Sequence, residues 1–450
     1  MTVPDLLTSL DPLAVGRQAH ALAAELYPIG RSITGDGFRT SLDLLRRFIP
    51  IESTEIPTGT NVFDWTVPDE WNLRTAWIKN ARGETIVDQA AHSLHVMSYS
   101  EPVRATLTLG ELRPRLHTLM DRPDDIPYRT SYYNRSWGFC LRHRTLEALQ
   151  DADGPFEVLI DSTLAPGHLT YGQCVLPGHS SDEVLLSCHS CHPSLANDNC
   201  SSMALVTLLA QLLAGASRRY TYRFLFAPGT IGAIAWLSRN VDHAARIRHG
   251  LVCACLGDPG PMTYKKSRRA NTDIDRAVMQ VLRDTGKPHS VEEFSPYGYD
   301  ERQFCSPGFD LPVGCFMRTP PGRFPEYHTS ADDMSFITPE ALGDSMARLL
   351  EVVSVLESNR AYVNQKPHGE PRLGKRGLYN ATGGSGPADL QMAMLWVLNL
   401  SDGTRDLLDI ASRSGMSFAT LRHAAELLAK TDLLVSPDLL ASTDLLAEKR

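Results

Sequence analysis

The 450-residue chain has no apolar run approaching the roughly 20 residues that a membrane-spanning helix requires. It has no excess of positive charge either. Its 44 lysines and arginines face 52 aspartates and glutamates, for a formal net charge of -8. That balance argues against nucleic acid or an anionic membrane as the main partner. The nine cysteines are scattered and odd in number, which fits reduced thiols better than a disulfide framework. Cys188-His189-Ser190-Cys191 has the CxxC form, but no second such pair exists to complete a zinc ribbon. Met1–Leu10 carries acids and no basic segment, so a secretory signal is not expected and a cytoplasmic location is. No internal repeat is visible.

What is present reads as ordinary globular protein of two or three domains, with 42% hydrophobic and 21% charged residues. Residues 12–48 carry helical periodicity, with Ala19, Leu22, Ala23 and Leu26 on one face. Residues 59–151 change character: they are rich in Trp, Tyr, Thr, Val and Pro, in short runs such as Thr75-Ala76-Trp77-Ile78, and predict an all-β insert. From 152 the rhythm alternates. Val184–Cys188, Tyr222–Phe226, Leu251–Leu256 and Leu311–Met317 are buried-strand candidates, separated by helical stretches. The fold class that follows is α/β, a mostly parallel central sheet flanked by helices, built from 1–58 and 152–362. A polar linker is expected over 363–386, with Gly383-Gly384-Ser385-Gly386-Pro387 as its loosest part. Three short helical segments separated by Gly403 and Gly415 then predict a winged helix-turn-helix over 387–450.

Ligands of an open parallel sheet bind beyond the carboxyl ends of its strands. His192 and Asp198 follow the strand ending at Cys188, Asp258 follows the one ending at Leu256, and His328 follows the Leu311 strand. Two imidazoles and two carboxylates from distant loops form a natural zinc site that leaves a position for water. Each has an ordinary alternative; Asp198, for one, could simply cap the helix that starts near Ser201.

The stretch Cys191-His192-Pro193-Ser194-Leu195-Ala196-Asn197-Asp198-Asn199-Cys200-Ser201 resembles bacterial aminopeptidase-like proteins whose core is that of the co-catalytic zinc aminopeptidases. Tyr27-Pro28-Ile29-Gly30-Arg31-Ser32-Ile33-Thr34-Gly35 resembles the N-terminal signature of that group. Val67–Asn72, Leu94-His95-Val96 and Ser131–Cys140 resemble its inserted β domain, and Gly298–Phe304 and Glu326-Tyr327-His328-Thr329-Ser330 its core. The resemblance covers nearly the whole chain, winged helix included. It implies that His192, Asp198 and Asp258 hold one zinc, and that Asp198 bridges to a second zinc shared with His328. It also implies a cis Asp198–Asn199 peptide. His189 competes for the histidine role, but the motif register favours His192.

One departure is serious. Where the zinc aminopeptidases place two adjacent glutamates, a general base and a ligand, this chain reads Gly229-Thr230. One zinc is therefore expected and a second is in doubt. Glu301 and Glu326 are the candidate replacement bases. Asp332 could orient His328 or cap the next helix. Tyr264, Lys265 and Arg268 could bind a substrate carboxylate or the developing oxyanion, or form a solvated basic loop; Arg318 and Arg323 carry the same alternatives. From Asp389 onward nine acids outnumber six bases, so the winged helix suits protein contact or dimerisation, and a homo-oligomer, better than DNA. Three functions remain open: an aminopeptidase-like hydrolase of small peptides or aminoacyl amides, a zinc amidohydrolase, deacylase or cyclising enzyme on a peptide-like or sugar-linked metabolite, and a metal-binding protein without catalysis.

Overall fold

The computed structural model describes residues 1–378 and 388–437. Among these, eight strands form the main sheet: β1 (Glu52–Pro57), β2 (His168–Leu176), β3 (Glu183–His189), β4 (Thr221–Ala227), β5 (Ile247–Cys253), β6 (Met262–Lys265), β7 (His289–Glu292) and β8 (Val313–Met317). Their spatial order is β1-β2-β4-β3-β5-β8-β6-β7. The inner four, β4-β3-β5-β8, run parallel. Antiparallel pairings join β1 to β2, β2 to β4 and β8 to β6. The sheet is thus parallel at its centre and mixed at its flanks.

Burial follows from composition. All seven residues of β3 are buried, as a strand covered on both faces must be. Helix Ser202–Ala214 follows β3 and buries ten of its thirteen residues. Helix Asp36–Leu45 is amphipathic, burying Phe38, Ser41, Leu42 and Leu45 at helical spacing.

The β-rich insert has its own four-stranded sheet, ordered Thr85–Asp88, Glu70–Lys79, Phe156–Ala165, Val103–Leu107. Glu70–Lys79 pairs along its length with Phe156–Ala165, so this sheet continues past residue 151 into the stretch that the alternating rhythm assigned to the α/β core. Insert and core share one compact unit, residues 1–272 and 288–350.

The second unit comprises 273–287 and 351–450. Its three-stranded sheet is ordered Asp402–Asp406, Ala361–Asn364, Leu434–Val435. The central strand lies where the sequence predicted the end of the core and the start of a linker. All four of its residues are half-buried, so no alternation marked it as a strand. Helices Ala388–Leu400, Leu407–Ser414 and Phe418–Ala429 complete the winged-helix pattern. Asp406 caps the second of these and Gly415, at φ 72°, ends it. The linker segment Gly383–Pro387 and the tail from 438 lie outside the described residues.

Candidate metal centre

The loops after β3 and β8 converge beyond the carboxyl end of the sheet. β3 delivers His189 at its last position, and the chain then turns through Ser194, at φ 41°, to reach Asp198. The Asp198–Asn199 peptide is cis, as the resemblance implies. His189, His192 and Asp198 each bring one ligand atom within 4.8 Å of the others, the one such group of three among the described residues. His189 Nε2 lies 2.6 Å from Asp198 Oδ1. His328 Nε2 lies 3.1 Å from Asp198 Oδ2, and its ring centroid is 5.2 Å from that of His192. His189, placed second to His192 by the motif register, stands in the same cluster.

Electrostatics suit a cation. Burial pushes the His192 imidazole down to about 3 against the opposing pull of Asp198. Burial acts to raise the Asp198 carboxyl, but His192, His189 and the hydrogen bond to His328 overcome it and hold it well below the usual carboxylate range. The Tyr299 hydroxyl donates to Asp198 Oδ1 at 2.7 Å, with its ring stacked 4.2 Å from His189.

Asp258 stands apart from the cluster. Its Oδ1 accepts Gly260 N–H at 2.8 Å and the Thr319 hydroxyl at 2.6 Å. Its Oδ2 accepts Asn197 Nδ2 at 3.0 Å and Thr319 N–H at 3.2 Å. Four donors already occupy both oxygens of this buried carboxylate, which makes it a brace for the loops that carry the site. Asp258, expected among the metal ligands, is not one of the group of three formed by His189, His192 and Asp198.

Asp332 neither orients His328 through a described hydrogen bond nor caps a helix. It accepts the backbone N–H groups of Asn197 and Asp198, at 2.6 and 3.0 Å, and so fixes the Asp198 backbone. Burial pushes its carboxyl up to about 8. Arg31, from the N-terminal signature, is buried and braces the same loop through the His192 carbonyl at 3.1 Å and Cys200 Sγ at 3.0 Å.

The absent glutamate pair leaves real space. A Cβ on Gly229 would stand 3.6 Å from Cys191 Sγ and 3.7 Å from His189 Cβ, ordinary contact distances. The carboxylate at this corner comes from elsewhere. Asp300 is buried, its Oδ1 accepts Thr230 N–H at 2.7 Å, and its charge interacts with His189. Burial pushes it up to about 6.

The structure gives the candidate bases other settings. Glu301 is fully buried in an ion pair with Lys265 Nζ at 2.7 Å, and Lys265 also bonds the Tyr297 carbonyl at 2.6 Å. This pair anchors the loop that carries Tyr299 and Asp300. Glu326 is half-buried, with its described bonds made by its carbonyl to Thr329. Tyr264 is buried in β6 against Gly314 of β8, and Arg268 pairs with Asp310 at 2.9 Å. Arg318 is a buried brace bonded to the Gly260 carbonyl and Asp344, and Arg323 pairs with Glu292 at the surface. None of these side chains joins the His–Asp group. Tyr299 and Asp300 were the missed positions, within a segment the sequence reading quoted only for its resemblance.

Comparison with known proteins agrees with this architecture. Residues 20–359 match the family described as domain of unknown function DUF4910, and 360–436 match a winged helix-turn-helix family. A Clostridium acetobutylicum protein whose name joins polysaccharide biosynthesis to an aminopeptidase-like domain is 48% identical over 419 residues, 93% of this chain and 96% of that one. A crystal structure from the same organism, whose name proposes a peptidase, superposes with a TM-score of 0.90 at 46% identity, covering 94% of this chain and 97% of that one. A zinc aminopeptidase from Bacillus subtilis shares the fold at a TM-score of 0.54 and 14% identity, over 76% of this chain and 95% of that one. An aminopeptidase from Aneurinibacillus sp. strain AM-1 shares it at 0.51 and 11%, over 79% and 96%. With its mixed sheet, its histidine–aspartate cluster and its C-terminal winged helix, this chain belongs to the aminopeptidase-like family DUF4910.

Proposed function

We propose that the protein is a zinc-dependent amide hydrolase, with His189, His192, Asp198 and His328 as metal ligands and a peptide-like amide as substrate. The observation that carries this reading is the convergence of three imidazoles on one ionised, buried carboxylate. The donor set fits the metal: neutral nitrogen and anionic oxygen suit a borderline cation. Bound zinc would polarise the scissile carbonyl and make water a stronger nucleophile near neutral pH.

The chain's own groups supply the rest. Tyr299 keeps its proton, because burial and the Asp198 charge raise it well above the ordinary phenol range, and it can donate to an oxyanion beside Asp198. Asp300 is the proton acceptor at the corner where the zinc aminopeptidases keep a glutamate. Tyr128, with its ring 5.1 Å from both His192 and His328, limits water around the ligands. A single zinc fits best, since Gly229 and Thr230 offer no carboxylate to a second. The relative named for polysaccharide biosynthesis extends the substrate range to sugar-linked amides. The acidic winged helix serves protein contact, as in a homo-oligomer, and the setting is cytoplasmic.

Zinc content tests the centre. Protein purified without added metal is expected to carry about one zinc per chain, and His192→Ala far less. Equal zinc in the two proteins would remove the centre from consideration.

A further inference from the structure

Arg302 stands at the Gly229–Thr230 corner of the centre without a counter-ion. It is half-buried, and its one hydrogen bond runs from Nη2 to the Thr230 hydroxyl at 3.3 Å. No carboxylate pairs with it among the described residues. Its Nε is shut off from solvent and has no partner. A cation drawn partly out of water is ordinarily paired, and a donor left over in such a place needs a reason. Thr230 ties this arginine to the reacting groups. The Thr230 N–H donates to Asp300 Oδ1 at 2.7 Å, so Asp300 and Arg302 grip one residue from two sides. Thr230 holds φ 61° and ψ -72°, and Ile231 N–H returns to the Gly229 carbonyl at 2.8 Å. That is the rare, strained form of the γ-turn, here on a β-branched residue. Such conformations persist where neighbours impose them, and they gather at working sites.

The corner is open. Gly229, Thr230 and Arg302 each keep part of their surface in solvent. Ile234, one helical turn past Thr230, and Gln303, next after Arg302, line a cleft of about 340 Å³ with Phe63, Asp64, Trp65 and Phe309. Asp64 is the one charged residue lining it, and it opposes an acidic group there. Direction follows from the chemistry. A group that takes the proton of the attacking water returns it to the departing nitrogen. With Asp300 as that group, the departing amine lies at Asp300, and what the amine carries lies toward Thr230 and Arg302. A guanidinium with unused donors matches a carboxylate best, through paired N–H···O bonds. An α-amino acid has its nitrogen and its carboxylate on one carbon, which suits two groups that a single residue separates.

We infer that Arg302 is a specificity residue that binds the carboxylate of an amino acid leaving as the amine, so that the substrates are N-acyl amino acids, dipeptides included. This inference rests on the amide-hydrolase reading. The side chain of the departing amino acid enters the cleft beside Gln303, whose rings and aliphatic groups favour an apolar one. The reaction consumes one water and breaks the acyl C–N bond. The acyl carbon takes the water oxygen and leaves as a carboxylic acid, and the nitrogen takes a proton and leaves as the amino acid. No oxidant or reductant is needed.

The test is calorimetric titration of the full chain, zinc-loaded and zinc-depleted, with L-leucine and with isopentylamine, the same amine without its carboxylate. Leucine is expected to bind roughly 10- to 100-fold tighter in both forms of the protein. Arg302→Met is expected to erase that preference with zinc content unchanged, and Arg302→Lys to keep part of it. Equal affinity for the two ligands in the wild type overturns the inference, and this arm needs no variant to fold. A preference that disappears with zinc overturns it too, since the metal would then be holding the carboxylate. So does an Arg302→Met protein that loses affinity equally for both ligands, the mark of an arginine that only props Thr230. Hydrolysis of N-acetylisopentylamine as fast as N-acetyl-L-leucine would preserve the hydrolase reading and overturn this one alone.

Discussion

Tyr299 and His189 share one oxygen: the Tyr299 hydroxyl donates to Asp198 Oδ1 at 2.7 Å, and His189 Nε2 reaches the same atom at 2.6 Å. The ring planes are within 13° of parallel, so the two side chains approach Asp198 as a stacked pair. A phenol kept neutral here is a proton donor throughout the working pH range. Tyr299→Phe is expected to retain zinc while turnover falls roughly 10- to 100-fold, with little change in KM. Zinc analysis beside steady-state kinetics checks it. Loss of zinc in the variant would make the hydroxyl part of the metal site's scaffold instead.

A carboxylate accepts a proton only when ionised, and the Asp300 carboxyl is pushed up to about 6 by burial. Activity should therefore rise with pH through about 6 and level off above it. Asp300→Asn should abolish that rising limb and lower the plateau roughly 100-fold. A pH profile of kcat/KM with the same limb in wild type and variant would assign the titration to another group.

Asp258 and His192 should respond oppositely to truncation. Asp258→Ala strips four donors of their acceptor in a buried loop, including both the hydroxyl and the N–H of Thr319. Leaving such groups unpaired is expected to cost about 3–5 kcal/mol, visible in a urea melt, with the zinc ratio of the folded protein unchanged. His192→Ala should do the reverse, losing zinc with a smaller change in apo-protein stability. An Asp258 variant that folds normally and loses its zinc would restore this residue to the ligand set.

These cases show where sequence stops informing. The inner strands were legible because a strand covered on both faces is a continuous apolar run, as in Val184–Cys188 within the observed Glu183–His189. Phe156–Ala165 was misplaced because it pairs with Glu70–Lys79, some 85 residues earlier, and alternation says nothing about which sheet a strand joins. The histidines and Asp198 were legible as polar residues after a strand. Asp258 offered the same signal, and only three dimensions reveal the four donors that occupy it. Asp300 was hidden because its partner, Thr230, lies seventy residues away. Arg31 stood within a quoted motif, but its bond to the His192 carbonyl depends on how the chain folds back.

The join between the first helices and the insert carries a pH signature of its own. Arg39, on helix Asp36–Leu45, bonds Glu70 at the start of strand Glu70–Lys79 with two nitrogens, at 2.8 and 2.7 Å. The Arg39 guanidinium, aided by His168 N–H and Asn72, lowers the Glu70 carboxyl from 4.5 to about 2 against the cost of burial. A depressed carboxylate contributes stability that is complete above its unfolded value and disappears as pH falls through its folded one. The window here is from about 4.5 down to about 2. Such a shift corresponds to about 3 kcal/mol at face value, and solvent screening of this half-buried pair reduces it to roughly 1–2 kcal/mol. Glu70→Gln should therefore be less stable than wild type by that amount at pH 7 in urea unfolding. The two curves should converge as pH is lowered from 4.5 toward 3. A gap that keeps its full size at pH 3 would show that Glu70 stabilises through packing and neutral hydrogen bonds, not through its charge.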